Sequence, residues 1–162
     1  ADITFIVLDN AGTAMTGFQP HPGIHESAIG EPLPSVDIAK ICEAIGAKVA
    51  VRDPFDLEAT SRILTSFMNE RGSMKVLIMK QACALSPEKK GKKQYQMKVN
   101  EDLCLGDNCG CNRLCTRIFR CPALTWDRTK KKAVIDEVIC AGCGVCYSIC
   151  TQKAIARTET KD

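Results

Sequence analysis

The sequence predicts an α/β fold made of two parts, a βαβαβ portion and a smaller α+β domain. Short apolar runs alternate with two amphipathic segments in residues 1–83, which is the pattern of parallel strands joined by helices. Nine of the eleven cysteines fall within residues 104–150. A polar, basic stretch containing Pro and Gly separates the two parts, so we expect a first domain at 1–83, a linker at 84–96 and a second domain at 97–162.

Three strands are expected in the first domain, at residues 3–8, 48–51 and 74–79. The first is a nearly continuous apolar run, ITFIVL, which is typical of a strand buried on both faces of a parallel sheet. Because parallel pairing needs crossover connections, these strands should form one sheet with helices packed against it. A further short strand, at 133–136, is expected in the second domain.

Two helices are expected between the three strands. Ser35 is the predicted N-cap of the first helix, and Gly46 ends it. Asp53 is the predicted N-cap of the second helix, with Pro54 at its first position and Gly72 at its end. The apolar side chains that the second helix is expected to bury are Leu57, Leu64, Phe67 and Met68.

Composition argues against two classes of protein. The formal net charge is only +3, and the lysine clusters contain no interleaved aromatic residues, so nucleic-acid binding is not expected. No apolar run approaches the roughly 20 residues that a membrane helix needs. Since no signal peptide is visible either, we expect a cytoplasmic protein.

Four cysteines follow the spacing C-x2-C-x2-C-x3-C, at Cys140, Cys143, Cys146 and Cys150. This spacing is typical of bacterial ferredoxins, in which thiolates ligate [4Fe–4S] clusters and the fourth cysteine of a run ligates the other cluster. A second run must therefore exist, and one ends at Cys121, which proline follows. We predict that Cys121, Cys140, Cys143 and Cys146 hold one cluster and that Cys150 helps to hold the other.

The upstream cysteine run departs from that spacing. Cys104, Cys109, Cys111 and Cys115 offer four thiols, whereas the other cluster needs three beside Cys150. Cys104 and Cys115 are predicted ligands, and the sequence leaves open which of Cys109 and Cys111 is the third. The alternatives are a disulfide framework or zinc sites, but disulfides suit small secreted chains and zinc sites do not need the crossed Cys-Pro arrangement.

A loop rich in glycine and proline, residues 9–34, follows the first strand, and loops of this length inside compact domains are usually functional. Its first part, from Asp9 to Gly23, reads DNAGTAMTGFQPHPG. This segment resembles the thiamine-diphosphate loop of the 2-oxoacid:acceptor oxidoreductases. In that family the thiamine-binding domain is followed by a two-cluster ferredoxin domain, the order expected here, so the resemblance covers essentially the whole chain.

The resemblance implies that residues 1–83 are the C-terminal part of a thiamine-diphosphate-binding domain and that residues 97–162 are a ferredoxin-like domain with two [4Fe–4S] clusters. Asn10 would offer its side-chain oxygen, and Gly12 its carbonyl oxygen, to a Mg²⁺ ion that bridges the two phosphates. Oxygen ligands suit this hard cation, and the carboxyl end of a parallel strand is where ligands collect. The implied cofactor-binding residues are Asp9, Asn10, Gly12, Thr13, Met15 and Thr16.

The resemblance assigns no catalytic residue. Three side chains of the loop are candidates, namely the Thr16 hydroxyl, the His21 imidazole, whose unperturbed pKa lies near neutrality, and Phe18, which would suit an aromatic substrate. The alternative for Thr16 and His21 is ordinary hydrogen bonding within the loop.

The implied activity is oxidative decarboxylation of an aromatic 2-oxoacid with coenzyme A, with electrons passing through the clusters to ferredoxin or another redox subunit. Indolepyruvate, another arylpyruvate or phenylglyoxylate would be the substrate. The first half of the diphosphate motif and the activating glutamate are expected upstream or on other subunits. The chain should therefore be part of a larger polypeptide or complex and inactive alone. The alternative is a purely electron-transferring subunit whose α/β half is a docking module.

Overall fold

The computed structural model describes residues 2–86 and 92–160, and for Cys109 it describes the backbone alone. The chain divides into two compact units, Ala1–Lys90 and Gly91–Asp162. Residues 87–91 of the predicted linker lie outside the described part. Within that part, no helix combines the length and the apolar character needed to cross a membrane.

The first unit is a three-stranded parallel sheet with two helices, which confirms the predicted α/β class. Its strands stand in the order β1-β3-β2, and both neighbouring pairs are parallel. The central Leu77 of β3 pairs with Ile6 on one side and with Ala50 on the other. The elements in chain order are β1 Ile3–Asp9, α1 Ile38–Ala44, β2 Lys48–Arg52, α2 Leu57–Asn69 and β3 Met74–Lys80.

The buried strand of this sheet is β3, not β1, which corrects the expectation that the first strand is covered on both faces. Val76, Leu77 and Ile78 are nearly inaccessible, whereas Phe5 in β1 is 49% exposed. The reason is position, because β1 lies at an edge of the sheet and β3 has a partner on each side. Continuous apolar composition indicates a strand, but it does not decide which strand is central.

Both helices begin later than predicted, because an aspartate nearer to the helix provides each cap. The Asp37 carboxylate accepts from the Lys40 amide at 3.2 Å, and this bond lowers the pKa of Asp37 below its usual value. Asp56, not Asp53, caps α2, and its carboxylate accepts from the Ala59 amide at 3.0 Å. A carboxylate caps a helix only when it lies next to the first unpaired amides.

The second helix buries fewer side chains than predicted. Phe67 is 1% exposed and Leu64 is half-buried, but Met68 is 69% exposed and Leu57 is 37% exposed. Consecutive residues on a helix point about 100° apart, so Phe67 and Met68 cannot both face a narrow core contact.

The second unit consists of two antiparallel strand pairs and two short helices. The first pair joins the beginning of the unit to its end, and the second is a hairpin that contains the strand predicted at 133–136. The elements are β4 Tyr95–Val99, α3 Leu114–Arg117, β5 Leu124–Asp127, β6 Lys132–Ile135, α4 Val145–Ile149 and β7 Ile155–Glu159.

Cysteine side chains form much of the interior of the second unit. A small cluster of buried residues, which includes Met97, Leu124 and Ile155, forms its centre. The cysteines that lie in or against this cluster are Cys104, Cys115, Cys121, Cys140, Cys146 and Cys150. Units of this size bury too little apolar surface to be very stable alone and commonly need disulfides or metals.

Candidate metal centres and cofactor loop

Four cysteines of the second unit line one cavity: Cys104, Cys111, Cys115 and Cys150. They come from separate parts of the chain, since Cys115 lies in α3 and Cys150 directly follows α4. Cys104 is held by its amide, which donates to the Asn100 carbonyl at 3.0 Å. The fold therefore brings Cys150 of the downstream run to the cysteines of the upstream run.

The wall of this cavity is largely apolar. Trp126, Ala133 and Ile155 line it together with the cysteines. The Arg113 guanidinium lies 4.9 Å from the centre of the Trp126 ring and 3.5 Å from the Asp107 carboxylate. A cation is attracted to the face of an aromatic ring. Arg113 and Trp126, which both line the cavity, form part of its wall as such a pair.

The second group of cysteines is centred on Cys146, which is only 8% exposed. Burial is the main cause that raises the pKa of Cys146 to about 12, and the negative charges of Cys143, Cys140 and Cys121 contribute to the same increase. Burial is also the main cause that raises the pKa of Cys115, and the negative charge of Cys111 is the second cause. Buried, clustered thiolates repel one another, so each group needs a cationic partner to ionise fully.

Backbone amides point at two of these sulfurs. The Gly142 amide donates to Cys140 Sγ at 3.4 Å, and the Ala154 amide donates to Cys150 Sγ at 3.2 Å. Hydrogen bonds to sulfur stabilise thiolate charge and tune the potential of any iron–sulfur cluster that the sulfur ligates.

Sets of four thiols suit both [4Fe–4S] clusters and single zinc ions, which differ in how far apart the sulfurs stand. Among the side chains that the structure describes, which leave out that of Cys109, no group of three or more His, Cys, Asp or Glu is placed to hold one metal ion. A zinc ion draws four thiolates to about 2.3 Å from one point. A cubane presents a separate iron to each of four cysteines, which therefore stand further apart.

Gly106 fixes the loop that leads from Cys104 to Cys111. Its φ is +61°, and a Cβ at this position would lie 2.2 Å from the Lys131 carbonyl oxygen in the turn after β5. Such a contact is a backbone clash that no side-chain rotation relieves. The loop can approach the hairpin only because residue 106 has no side chain.

We expect Gly106→Ala to destabilise the second unit more than Gly110→Ala. Gly110 has a similar φ of +71°, but a Cβ at this position would have nothing within 4 Å, so alanine there costs about 1–2 kcal/mol for the left-handed conformation alone. The clash should add about 1–3 kcal/mol at residue 106. Urea unfolding followed by fluorescence of Trp126, the single tryptophan, measures both variants. Equal stabilities would contradict the packing described.

The predicted cofactor loop begins where β1 ends, and its first residues form two consecutive turns. The Asp9 carboxylate accepts from the Ala11 amide, and the Asn10 side-chain oxygen accepts from the Gly12 amide, both at 3.2 Å. The Asn10 carbonyl accepts from the Cys83 amide at 3.1 Å, which ties the loop to the chain after β3. These contacts place Asn10 at the carboxyl end of the sheet.

Two residues of the loop other than glycine adopt left-handed backbone conformations. Ala11 and Phe18 both have φ of +60°, which is costly for residues that carry a side chain. The position of a Cβ on Gly12 would lie 3.7 Å from the Phe18 ring, so the ring packs over the buried Gly12. Strained backbone of this kind occurs preferentially at functional sites.

Thr13, Met15 and Thr16 occupy the part of the loop that follows. The Thr13 amide donates to the Gln19 carbonyl at 3.1 Å, and the Thr16 hydroxyl donates to the Gln19 side-chain oxygen. Met15 is 98% exposed. In this structure the Thr16 hydroxyl therefore makes a contact within the loop.

A cleft of about 830 Å³ lies beside the loop in the first unit. Of the predicted cofactor-binding residues, Asp9 lines it, and His25, Ser35 and Lys80 lie around it. His25 Nε2 is 3.1 Å from Ser35 Oγ, and Lys80 Nζ is 3.9 Å from the Asp9 carboxylate. Sequence reasoning did not single out Ser35 or Lys80 as site residues, although Lys80 ends a strand where ligands of parallel sheets collect.

His21 has a structural contact within the loop. Its Nδ1 accepts from the Gly23 amide at 3.0 Å, and the side chain is half-buried. Since Nδ1 is an acceptor, the proton of neutral His21 is on Nε2.

Comparison with known proteins gives a consistent picture along the chain. Residues 1–78 match the family model of the thiamine pyrophosphate enzyme C-terminal TPP-binding domain. The chain is 38% identical to the indolepyruvate oxidoreductase subunit IorA of Pyrococcus abyssi over 98% of its own length. It is 37% identical to the subunit of the same name from Pyrococcus horikoshii and 38% identical to that from Thermococcus kodakarensis, over 93% of its length in each case.

These relatives are much longer than the sequence described. The aligned region is 24% of the Pyrococcus abyssi protein and 23% of the other two, so the chain spans about a quarter of their length. No solved structure matches the chain.

Proposed function

The chain belongs to the same family as the indolepyruvate oxidoreductase subunits IorA, and on this premise we propose that it is part of a thiamine-diphosphate-dependent 2-oxoacid oxidoreductase. The first unit would contribute to the thiamine-diphosphate site. The second unit would hold two [4Fe–4S] clusters that carry electrons to ferredoxin or another redox subunit. The remainder of the catalytic subunit, or other subunits, would complete the enzyme.

The observation that carries this proposal is the grouping of cysteines in the second unit. Cys104, Cys111, Cys115 and Cys150 line one cavity, although the last belongs to a different run. Cys146 lies near Cys143, Cys140 and Cys121, which raise its pKa. Two sets of four thiols, with one cysteine crossing between the runs, are the ligand pattern of a two-cluster ferredoxin.

The loop after β1 supplies the residues proposed for the Mg²⁺ and diphosphate. Asn10 Oδ1 accepts one hydrogen bond, from the Gly12 amide, and an amide oxygen has a second lone pair to offer. Mg²⁺ usually takes one or two protein oxygens, together with phosphate and water oxygens. The Asn10 side chain and the Gly12 carbonyl would therefore be the ligands that this chain contributes. Bound thiamine diphosphate would supply the carbanion chemistry of decarboxylation.

An aromatic 2-oxoacid is the proposed substrate, with coenzyme A as the acyl acceptor. The Phe18 ring, held over Gly12 by a left-handed backbone, provides an apolar face in the cofactor loop. Aromatic rings pair favourably with such a face. The names of the relatives, which include indolepyruvate, agree with this class of substrate.

One observation favours a second candidate function, in which the chain only transfers electrons and its first unit is a docking module. The predicted Mg²⁺ ligands Asn10 and Gly12 already bond to each other in a turn, which is also an ordinary loop structure. The two functions differ in whether Asn10 is needed for decarboxylation.

The metal content of the anaerobically purified protein tests the proposal directly. We expect about eight iron and about eight acid-labile sulfide per chain, because each cluster contributes four of each. After reduction, the low-temperature EPR spectrum should show two coupled clusters. Stoichiometric zinc without sulfide, or paired disulfides without metal, would refute the electron-transfer role.

A further inference from the structure

We propose that Cys111, and not Cys109, completes the ligand set of the upstream cluster, which would be held by Cys104, Cys111, Cys115 and Cys150. This inference rests on the proposed function, because it presupposes that the second unit binds clusters. It goes further in naming which thiol of an irregular run is the ligand. The resulting spacing, six residues between the first two ligands and three between the next two, differs from the two and two of the usual motif.

The number of cysteines known to line the cavity matches the number of ligands that one cluster needs. A cubane takes four cysteine ligands. Among the side chains that the structure describes, which do not include that of Cys109, four cysteines line the cavity, and one of them is Cys111. All four are half-buried, so each sulfur is reachable from the cavity but largely removed from water. With Cys111 in place, the set needs no fifth thiol.

The chain makes a tight turn directly after Cys111. The Cys111 carbonyl accepts from the Leu114 amide at 3.1 Å, which closes a tight turn. Within that turn, Asn112 and Arg113 have φ of +50° and +55°, a rare conformation for residues with side chains. The Arg117 side chain bonds to the Asn112 side chain and holds the turn. Cys111 therefore stands directly before a chain reversal that leads into Cys115 of α3.

The extra residues between Cys104 and Cys111 form a compact turn. Gly106–Cys109 forms a single 3₁₀ turn, and Gly110 after it is left-handed with φ of +71°. The turn packs against the hairpin through Gly106, whose missing side chain permits contact with the Lys131 carbonyl. The inserted residues thus form a compact turn beside the hairpin, and Cys104 and Cys111 line the same cavity despite their long spacing.

Alanine variants of the two cysteines in the full-length protein test the assignment, with Cys104→Ala as the reference for loss of the upstream cluster. Iron, acid-labile sulfide and EPR spectra are measured for each variant. We expect Cys109→Ala to keep about eight iron and the coupled spectrum. Cys111→Ala should match Cys104→Ala, with about half of the iron lost and the spectrum of one isolated cluster.

Any other pattern of cluster content overturns the assignment, including iron loss in Cys109→Ala or a full complement in Cys111→Ala. The cluster retained in Cys111→Ala shows that the unit still folds. Failure of the proposed function itself would look different, because the unsubstituted protein would then contain no iron or sulfide at all.

Discussion

Replacing Asn10 by leucine in the complete enzyme should abolish 2-oxoacid- and coenzyme-A-dependent reduction of an electron acceptor, while dithionite still reduces the clusters. Leucine has a similar size but no oxygen, so it removes both the proposed Mg²⁺ ligand and the acceptor for the Gly12 amide. Loss of an outer partner in a metal site costs about 10–100-fold, and loss of a direct ligand should cost at least about 100-fold. Reduction of a viologen dye measures the activity.

The matched control is Asn10→Asp, which keeps an oxygen for Mg²⁺ and an acceptor for the Gly12 amide. It should retain most of the activity, because carboxylates are good Mg²⁺ ligands. If Asn10→Leu instead retained full decarboxylation activity, the first unit would not contribute a metal ligand, and the docking-module function would be favoured.

Separate measurement of the two halves of the reaction distinguishes a local from a general defect. The proposed cluster ligands lie in the second unit, Gly91–Asp162, and Asn10 lies in the first. A variant that only loses a cofactor ligand should therefore keep its iron content and its reduction by dithionite. Added Mg²⁺ and thiamine diphosphate should partly restore activity if weaker binding is the cause, because excess ligand favours the bound state by mass action.

The strands of the first unit could be predicted from the sequence, because each is a short apolar run between polar or glycine-rich segments. The run at 74–79, for example, appears in the structure as Met74–Lys80. Its central position could not be predicted, since β1 is equally apolar and differs only in having one neighbouring strand. Strand order depends on contacts between distant segments, which local composition does not encode.

The helix caps show a different limit of sequence reasoning. Ser35 and Asp53 are good capping residues in suitable positions, but Asp37 and Asp56 occupy the caps. Candidates two or three residues apart differ little in intrinsic preference. The structure instead gives Asp53 a separate role, in which its carboxylate accepts from the Phe55 amide at 2.8 Å and starts a turn before α2.

Among the cysteines, the downstream run could be interpreted from spacing because its motif is regular. The upstream run could not, because spacing alone does not show which thiol faces a common cavity. The cavity is lined by Cys111. Of the two left-handed residues that turn the chain after it, Arg113 is not of a type that signals that conformation.

Replacing Cys150 by alanine should remove the same cluster as replacing Cys104, although Cys150 is only four residues from Cys146 in sequence. The reason is that Cys150 lines the cavity with Cys104, Cys111 and Cys115, and its sulfur accepts from the Ala154 amide there at 3.2 Å. We expect about half of the iron to be lost. Cys146→Ala should instead remove the other cluster, and EPR of the remaining cluster distinguishes the two outcomes.

Cys42→Ala is the control for this series, because Cys42 lies in the first unit against the apolar cluster of Ala47, Val76 and Ile78. It should keep about eight iron and the coupled spectrum, since Cys42 belongs to neither proposed set of cluster ligands. If Cys150→Ala and Cys146→Ala left the same residual EPR signal, both cysteines would ligate one cluster. The prediction that Cys150 ligates the cluster of the upstream run would then be wrong. The proposed passage of electrons between two neighbouring clusters in this unit would lose its support as well.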